Sequence, residues 1–356
     1  MNKRIVIMAG GTGGHVFPAL AVAQALREQG WQVSWLGTEK GLENRVVPEN
    51  GFELDYLSVT GIRGKGLWFK FKSVLLLLKA CLQARRILKQ RKPHVVLGMG
   101  GFVAGPGGLM AKWMGIPLVI HEQNRVVGTT NRLLARFANR VLEAFPHSFK
   151  PKAKAVCTGN PLRKAFVQAA SLVQQRQNDP SSLKLLVIGG SQGAKILNEI
   201  VPEAVAVLTN SVTIHVKHQT GAVMRDEVAA HYEKLNIDAQ VLAFVDDMVS
   251  VYAWADLIVC RAGAMTVSEV AAMGLPSIFI PLPSAIDDHQ SANARYLTDT
   301  GAAYMLKQQN LSPVSLAQLI EQVMTKKDEM RVSALQSARL QATNEVAAIC
   351  VAEAVA

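Results

Sequence analysis

The sequence has few cysteines, little charge and no apolar stretch long enough to span a bilayer. Its four cysteines lie far apart in 356 residues, without metal-ligand spacing or a disulfide framework, which is typical of a protein kept reduced in the cytosol. The most apolar run, residues 74–78, ends at Lys79, far short of the roughly 20 residues that a membrane-spanning helix needs. The first residues lead directly into a predicted strand, so no secretory signal is expected.

Charged residues make up 18% of the chain and apolar residues 49%, a balance that excludes an intrinsically disordered protein. A chain of 356 residues is too long for one ordinary hydrophobic core. We therefore expect two globular domains.

Acidic residues are absent between Tyr56 and His121, where eleven Lys or Arg occur. Residues 1–150 hold 21 basic and 8 acidic residues, a net charge of +13, whereas the remainder carries −2. A one-sided basic half indicates an anionic partner: a membrane surface, a nucleic acid or a polyphosphate. The alternative is a basic face that is simply solvated.

Two glycine-rich turns of the same build dominate what is present. Residues 5–15 read IVIMAGGTGGH and residues 185–194 read LLVIGGSQGA. Each is an apolar run followed by clustered glycine and then a helical pattern, which predicts a buried parallel strand entering a helix through a tight loop. Such a loop offers free backbone N–H groups and the positive end of a helix dipole to an anion.

Strands and helices are predicted to alternate in both halves, which is typical of parallel sheets with crossover helices. Helical patterns include Pro18–Gln29 and Ser73–Lys89. The predicted strands are Arg4–Met8, Gln32–Leu36, His94–Leu97, Leu118–Ile120, Arg140–Leu142, Lys184–Ile188, Val212–Val216, Gln240–Ala243, Leu257–Cys260 and Ser277–Ile280.

The fold class is therefore α/β, with two domains facing a common cleft. The boundary is expected near Gly159-Asn160-Pro161, giving domains of residues 1–160 and 161–339. The polar stretch Gln174–Ser182 is predicted to be a loop. A helix at about residues 340–356 is expected to return to the first domain.

The first turn does not fit the dinucleotide fingerprint G-x-G-x-x-G, because Val16 stands where the third glycine is needed, and this disfavours a dehydrogenase. A second glycine-dense loop, Gly98–Gly108, follows another strand of the same domain. The two loops together are candidates to hold a diphosphate. The alternative is a tight turn with no ligand.

His15 follows the first turn and is our candidate general base, since an imidazole accepts a proton from a hydroxyl near neutral pH; a structural role is the alternative. Arg163, at the inferred boundary, is a candidate fixed cation, with a salt bridge as the alternative.

The second half offers candidates for a sugar nucleotide. Ser191 and Gln192 lie in its glycine turn, where they suit a nucleotide phosphate. Glu269 falls early in a predicted helix, where a carboxylate suits a ribose diol or merely complements the helix dipole. The polar sequence Asp287–Gln290 opens another helix and suits sugar hydroxyls or helix capping.

Residues 67–79 mix apolar and basic residues, which predicts a segment that lies in a lipid headgroup layer. The alternative is an ordinary packed helix with a basic edge. The residues of this predicted membrane patch are Leu67, Trp68, Phe69, Lys72, Leu75, Leu76, Lys79 and Trp113.

Taken in order, these motifs resemble the MurG family of glycosyltransferases. The matching segments are GGTGGHVFPALAVA at 10–23, GIRGKG at 61–66, VLGMGGFVAGPGG at 96–108, HEQN at 121–124, GNPLR at 159–163, GGSQGA at 189–194, FVDDM at 244–248, CRAGAMTVSE at 260–269 and DDHQ at 287–290. Each motif alone is weak, but the ordered set covers nearly the whole chain. Residues 283–286 depart from the more polar stretch of relatives.

The resemblance implies a GT-B fold, with two Rossmann-like domains whose parallel sheets face a deep cleft. It implies inverting transfer of N-acetylglucosamine from UDP-N-acetylglucosamine to the 4-hydroxyl of the muramoyl sugar of lipid I, forming lipid II. It implies a peripheral enzyme on the cytoplasmic face of the bacterial inner membrane, with anionic phospholipid and cell-wall synthesis proteins as partners. Donor-binding residues by motif match are Thr12, Gly13, Gly14, Asn124, Arg163, Ser191, Gln192, Val245, Ala264, Met265, Thr266, Val267, Ser268, Glu269 and Gln290. The acceptor diphosphate is assigned to Gly11, Gly13, Gly14, Gly100 and Gly101.

No Asp-x-Asp signature stands in a convincing loop, so we expect no required cofactor and no protein-held metal, with Mg²⁺ able to assist departure of the diphosphate. A UDP-N-acetylglucosamine epimerase or hydrolase, or a transferase to another lipid, is the rival enzyme. A nucleic-acid-binding protein is disfavoured because the basic stretch has an apolar core and matches no nucleic-acid module.

Overall fold

The computed structural model of the chain describes residues 3–58, 67–173, 182–208, 212–283 and 288–355, with residues 67–73 and 172 described by their backbone alone. Its strands are β1 Arg4–Met8, β2 Gln32–Gly37, β3 Glu53–Tyr56, β4 Val95–Gly98, β5 Leu118–Glu122, β6 Arg140–Glu143, β7 Val156–Cys157, β8 Ser182–Ile188, β9 Thr213–Gln219, β10 Ala239–Leu242, β11 Leu257–Cys260, β12 Ser277–Phe279 and β13 Ala303–Met305. Its α-helices are α1 Gly13–Glu28, α2 Glu43–Glu49, α3 Leu67–Arg91, α4 Ala104–Trp113, α5 Thr129–Leu134, α6 Lys164–Val173, α7 Lys195–Leu208, α8 Arg225–Lys234, α9 Met248–Trp254, α10 Ala264–Ala272, α11 His289–Thr298, α12 Pro313–Ser337 and α13 Ala342–Glu353.

Two compact units divide the chain. Unit 1 comprises residues 1–163 and 339–356, and unit 2 comprises residues 164–338. The chain leaves unit 1 after Arg163, three residues beyond the boundary expected from the sequence, and returns at Arg339. The outgoing and returning segments touch at Gly159, where an added Cβ would stand 2.3 Å from the Cβ of Arg339. Glycine at this position therefore allows the two segments to lie in close contact.

Unit 1 is built on a seven-stranded parallel sheet of order β3-β2-β1-β4-β5-β6-β7. The central strand β1 is buried on both faces because helices cover both sides of the sheet. Ile5 and Ile7 pack into the core beneath α1 and α13, whereas Val6 and Met8 pack into the core beneath α3, α4 and α5. The C-terminal helix α13 thus closes one face of unit 1.

Unit 2 repeats this plan with a six-stranded parallel sheet of order β10-β9-β8-β11-β12-β13. Helices α7, α8 and α12 contribute to its largest buried cluster. In both sheets the strand order reverses beside the first strand, between β1 and β4 in unit 1 and between β8 and β11 in unit 2. Open α/β sheets bind ligands at such a switch point, beyond the carboxyl ends of the strands.

The predicted alternation of strands and helices is confirmed, with three strands missed. β3 is a half-exposed edge strand that carries Glu53 and Asp55, and β7 and β13 are two and three residues long, so none shows an apolar run. The prediction that the first helix begins at Pro18 was wrong. α1 begins at Gly13, because glycine at a helix start is weak in propensity and hides the pattern.

Among the described helices, none combines the length and the apolar character needed to cross a bilayer.

Candidate functional site

The first glycine turn lies at the switch point of unit 1. β1 ends at Met8, the loop turns at Gly11 with φ +98°, and α1 begins at Gly13 with Thr12 as its N-cap. Thr12 and Gly11 are exposed, and no acidic residue occupies the first turn of α1. The first amide N–H groups of a helix lack intrahelical partners, so those at the start of α1 can bind an anion.

The second glycine loop, Gly98–Val103, follows β4 and lies against the first. Gly100 and Gly101 have φ of +95° and +81°, which favours glycine at both positions. A Cβ added at Gly101 would stand 2.5 Å from the carbonyl oxygen of Gly10. The structure therefore brings the two predicted acceptor loops together, backbone against backbone.

Gly11 differs from its predicted role as a donor to the acceptor diphosphate. Its N–H donates to Oε2 of Glu43 at 2.9 Å, and its carbonyl accepts from the N–H of Leu42 at 3.3 Å. Because its single N–H is already engaged, Gly11 shapes the loop and cannot donate to a ligand. Gly13 and Gly14 remain the predicted anion donors of this turn.

His15 lies in the first turn of α1, with its imidazole against the second loop. A Cβ on Gly100 would lie 2.9 Å from Cδ2 and 3.1 Å from Nε2 of His15. Its Nδ1 is buried. Burial lowers the pKa of His15 below its ordinary value, partly opposed by the carboxylate of Glu122, the Gly10 backbone and Glu43. The ring is therefore poised in its neutral, proton-accepting form.

The segment after β5 forms a buried polar network around Glu122. Its carboxylate accepts from the N–H groups of Asn124 and Gly128 at 3.0 Å and from Nδ2 of Asn131, also at 3.0 Å. Asn124, predicted near the donor sugar, thus follows β5 in a loop held by Glu122. This arrangement keeps a carboxylate near His15 without exposing it.

His121 and Gln123 extend that network toward the glycine loops. Nε2 of His121 meets the carbonyl of Gly159 at 2.9 Å, and the Gln123 amide lies 3.1 Å from Nδ1 of His121. Burial lowers the pKa of His121 to about 4, so this ring stays neutral. Oε1 of Gln123 is buried without a partner among the described residues and would lie 3.7 Å from a Cβ on Gly100.

Arg163 lies at the end of the unit 1 segment, and its guanidinium stands 5.7 Å from the ring centroid of Phe17 on α1. The boundary predicted from the sequence put Arg163 in the second domain, with the other predicted nucleotide contacts. The structure instead places it in unit 1, because it packs by cation–π contact on α1.

In unit 2 the turn after β8 occupies the equivalent switch point. Ser191 and Gln192 are exposed on the loop, and α7 begins at Lys195. The loop is fixed from behind: a Cβ on Gly193 would stand 1.8 Å from the carbonyl oxygen of Thr220, and one on Gly221 would stand 2.3 Å from that of Gln192. Close backbone contact leaves the outer side of the turn open to a phosphate.

The neighbouring turn after β11 carries the predicted nucleotide contacts of α10. Glu269 is partly exposed in the second turn of that helix, and Thr266 and Met265 are partly exposed in its first. The Ser268 hydroxyl donates to the Ala264 carbonyl at 3.0 Å. Val267 does not fit its predicted role, because its side chain is buried and its N–H donates to the carbonyl of Gly263 at 3.0 Å.

Gln290, predicted at the donor sugar, lies in the first turn of α11. Its Oε1 accepts from the N–H of Leu282 at 2.9 Å. That bond fixes the orientation of the amide, so its NH₂ group is the end that can donate to a ligand. The adjoining residues 284–287 lie outside the described residues. They include Asp287 and most of the stretch at 283–286 that departs from relatives. The GIRGKG motif at 61–66 also lies outside the described residues.

Arg261 and Asn293, which were not predicted from the sequence, hold this part of unit 2 together. Nη1 of Arg261 donates to the carbonyls of Ile280 at 3.0 Å and Pro281 at 3.3 Å, and Nδ2 of Asn293 donates to the carbonyl of Ala262 at 3.2 Å. They link the turn after β11 to the segment that carries Gln290. Val245 is buried after β10, so only its backbone can meet a ligand.

Within the described ranges, no group of three or more His, Cys, Asp or Glu side chains could hold a metal ion. Asp247, in the FVDDM motif, caps α9 by accepting from the N–H of Ser250 at 3.1 Å. It is therefore engaged in helix capping.

An exposed apolar face runs along α3 and α4, and we call it the α3–α4 patch. It comprises Val74, Leu75, Leu78 and Leu82 of α3 with Leu109 and Trp113 of α4. Leu82 and Trp113 are each 67% exposed, and Arg85 stacks on the Trp113 ring at 5.0 Å. Exposed basic residues adjoin the patch: Lys79, Arg85, Arg86, Lys89 and Lys112.

This surface corrects the predicted patch in part. Leu76 is only partly exposed, whereas Leu78 and Leu82, which were not selected, point outward with Leu75 because they share one helical face. The side chains of Leu67, Trp68, Phe69 and Lys72 lie outside the described residues.

Comparison with known proteins gives the family. Residues 5–143 match the Glycosyltransferase family 28 N-terminal domain, and residues 184–349 match the Glycosyltransferase family 28 C-terminal domain. The chain is 55% identical over 357 residues to the UDP-N-acetylglucosamine--N-acetylmuramyl-(pentapeptide) pyrophosphoryl-undecaprenol N-acetylglucosamine transferase of Methylococcus capsulatus, with 99% of each chain covered. It is 48% identical to the transferase of the same description from Shewanella denitrificans, covering 98% of this chain and 97% of that one.

Among solved structures, the crystal structure of Acinetobacter baumannii MurG matches with a TM-score of 0.84 and 43% sequence identity, covering 98% of this chain and 99% of that chain. The fold and the paired glycine turns thus define a glycosyltransferase of the two-domain GT-B type. Within glycosyltransferase family 28, the chain belongs to the MurG family. The resemblance drawn from the ordered motifs is confirmed.

Proposed function

We propose that this chain transfers N-acetylglucosamine from UDP-N-acetylglucosamine to the 4-hydroxyl of the muramoyl sugar of lipid I, forming lipid II. The names of the relatives describe this reaction. The observation that carries the proposal is that each unit ends its first strand in an open glycine turn at its switch point. Two anion sites of this kind suit two substrates that each contain a diphosphate.

The donor is assigned to unit 2. The N–H groups of the Gly189–Ala194 turn and the start of α7 would bind the UDP diphosphate, with Ser191 and Gln192 beside it. Glu269 would accept from the ribose hydroxyls, and the NH₂ group of Gln290 would donate to the donor sugar. When the glycosidic bond breaks, these fixed dipoles stabilise the charge that develops on UDP.

The acceptor is assigned to unit 1. The amides of Gly13 and Gly14, with the Gly100–Gly101 loop, would bind the lipid diphosphate. His15 would take the proton of the 4-hydroxyl as it attacks the anomeric carbon, giving inversion. Since Nδ1 of His15 is buried, Nε2 is the nitrogen assigned to accept that proton.

We assign no protein-held metal to this step, and Mg²⁺ bound to the diphosphate of UDP can reduce its charge. The donors that we assign to the two diphosphates are mainly the backbone N–H groups of the glycine turns.

The α3–α4 patch supports peripheral attachment to an anionic lipid surface, where the lipid acceptor resides. Apolar side chains would enter the headgroup layer while the surrounding Lys and Arg meet lipid phosphates. Each basic residue near such a surface adds about 1 kcal/mol. On this basis we place the chain at the cytoplasmic face of the inner membrane.

The direct test is transfer of radiolabel from UDP-N-acetylglucosamine to a short-chain lipid I analogue. We expect a labelled disaccharide lipid that forms only when both substrates are present. Incubation with the donor alone separates the rival enzymes, because an epimerase or a hydrolase consumes UDP-N-acetylglucosamine without an acceptor. Turnover of the donor alone, with no transfer, would refute the proposal.

A further inference from the structure

One buried carboxylate in unit 1 has no role in the reaction described above. Glu43 is the first residue of α2 and is 0% exposed. Its Oε1 accepts from the N–H and the hydroxyl of Thr38 at 2.9 and 2.8 Å, and its Oε2 accepts from the N–H of Gly11 at 2.9 Å. A buried carboxylate is costly unless such bonds satisfy it, and here both oxygens are engaged.

Three glycines from two segments make room for this side chain. A Cβ at Gly41 would stand 2.0 Å from Oε2, one at Gly10 would stand 2.7 Å from Oε1, and one at Gly37 would stand 2.7 Å from Cγ of Glu43. The backbone at these glycines therefore closely borders the Glu43 side chain and restricts its position.

Glu43 and its neighbour together hold Gly11 by both of its backbone polar groups. The Gly11 N–H donates to Glu43, and the Leu42 N–H donates to the Gly11 carbonyl. Gly11 lies two residues before the start of α1, so its position sets the direction in which Gly13, Gly14 and His15 leave the loop. Movement of Gly11 would change all three.

We infer that Glu43 is a positioning residue of the acceptor site, which fixes the first glycine turn so that the α1 amides meet the acceptor diphosphate. The inference rests on the proposed function in one respect, the assignment of that turn to the acceptor. Glu43 touches neither substrate in this scheme and acts through Gly11. A carboxylate suits the task because both of its oxygens accept hydrogen bonds, whereas an amide would place NH₂ opposite one of these donors.

The test compares Glu43→Gln with Thr38→Val. The first variant keeps the side-chain shape and disrupts the bond to Gly11 or Thr38, whereas the second removes only the Thr38 hydroxyl and leaves the Gly11 bond in place. In Glu43→Gln we expect the KM for the lipid I analogue to rise about tenfold, the change typical of losing a bond to a charged group, with the KM for UDP-N-acetylglucosamine within about twofold. In Thr38→Val both KM values should stay near those of the parent protein.

Gly41→Ala serves if Glu43→Gln does not fold. Its backbone needs no glycine-specific φ, and the atoms nearest the new Cβ belong to Glu43, so it displaces the carboxylate while keeping its charge. We expect the same rise in the acceptor KM.

A second readout does not depend on sugar transfer. Binding of farnesyl diphosphate, measured by calorimetry, should weaken about tenfold in Glu43→Gln or Gly41→Ala and remain unchanged in Thr38→Val. Equal dissociation constants in all proteins, or a parent protein that does not bind farnesyl diphosphate, would overturn the inference. If the parent protein bound farnesyl diphosphate but catalysed no sugar transfer, the result would instead count against the proposed function.

Discussion

The carbonyl oxygen of Gly10 lies against Gly101, so close that a Cβ at Gly101 would stand 2.5 Å from it. Gly10 follows β1 and Gly101 follows β4, the two strands that flank the switch point of unit 1. The backbones of the two loops therefore touch at Gly10 and Gly101, and this contact depends on the absence of a side chain at Gly101.

Gly101→Ala should disturb this junction more than an equivalent change elsewhere. Gly101 has φ +81°, and Gly115 has φ +69° with no atom within 4 Å of an added Cβ. Both alanine variants bear backbone strain of about 1–3 kcal/mol, but only the first also clashes with Gly10. We expect a larger loss of unfolding free energy in Gly101→Ala, by denaturant titration, and a raised acceptor KM in that variant alone. Equal losses in the two variants would contradict the close contact.

Removal of the His15 imidazole should affect chemistry and spare donor binding. A positioned base contributes about 10²–10⁴-fold to rate, so His15→Ala should lower kcat by that factor. Calorimetry with UDP should give an unchanged dissociation constant, because the proposed UDP contacts Ser191, Gln192 and Glu269 lie in unit 2. Near-normal turnover with intact UDP binding would show that His15 is not the base.

The pH dependence of kcat follows from the direction of the His15 shift. Burial lowers the pKa of His15 from its ordinary 6.5, opposed by Glu122, the Gly10 backbone and Glu43, and only the neutral ring accepts a proton. Activity should therefore rise with pH through a midpoint below 6.5 and be level above it. Glu122→Gln removes a charge that favours the protonated ring, so the midpoint should fall further. A midpoint above 6.5 would contradict this assignment.

The local pattern of apolar residues was sufficient to predict the strands that are buried on both faces. The predicted bounds of Arg4–Met8 and Leu257–Cys260 coincide with β1 and β11, because a parallel strand under helices is a continuous apolar run. The edge strand β3 was missed, since Glu53 and Asp55, which pair with Arg91, interrupt the apolar pattern. Edge position depends on the sheet order, which no local run of residues reports.

The candidate site divides in the same way. Glycine clusters after strands predicted both loops, and the carboxyl ends of parallel strands brought them to one edge of each sheet. Glu43 could not be predicted, because it lies 32 residues from Gly11 and its contact exists only once α2 packs beside the turn. Gly37 and Gly41, which surround it, were the only local signal.

Gln290→Glu should separate the two functions of the Gln290 amide. A carboxylate still accepts from the Leu282 N–H, so the local structure should remain, but it cannot donate to a sugar hydroxyl. We expect kcat/KM for UDP-N-acetylglucosamine to fall about tenfold or more while the acceptor KM stays unchanged. Circular dichroism and the melting temperature should match those of the parent protein. A normal donor kcat/KM would remove Gln290 from the donor site.

The α3–α4 patch allows a matched test of membrane attachment. Leu82 lies in the patch and is 67% exposed, and Val314, at the start of α12 in unit 2, is 56% exposed. A glutamate at either position should be tolerated by the fold, because each side chain already faces solvent. The two substitutions also change net charge equally, so a difference between them reports the location of the binding surface.

Leu82→Glu should lower the vesicle-binding constant, measured by co-sedimentation with anionic vesicles, by about tenfold or more, since insertion of one leucine is worth about 1.5–3 kcal/mol and the new charge repels lipid phosphate. Val314→Glu should bind as the parent protein does. Binding of the parent protein should weaken as salt is raised, because screening reduces the attraction between the basic rim and the lipid. The attachment proposal would not survive equal binding to neutral and anionic vesicles, nor unchanged binding by Leu82→Glu. Transfer to a water-soluble acceptor should be equal in all three proteins, which shows that the patch acts on location and not on chemistry.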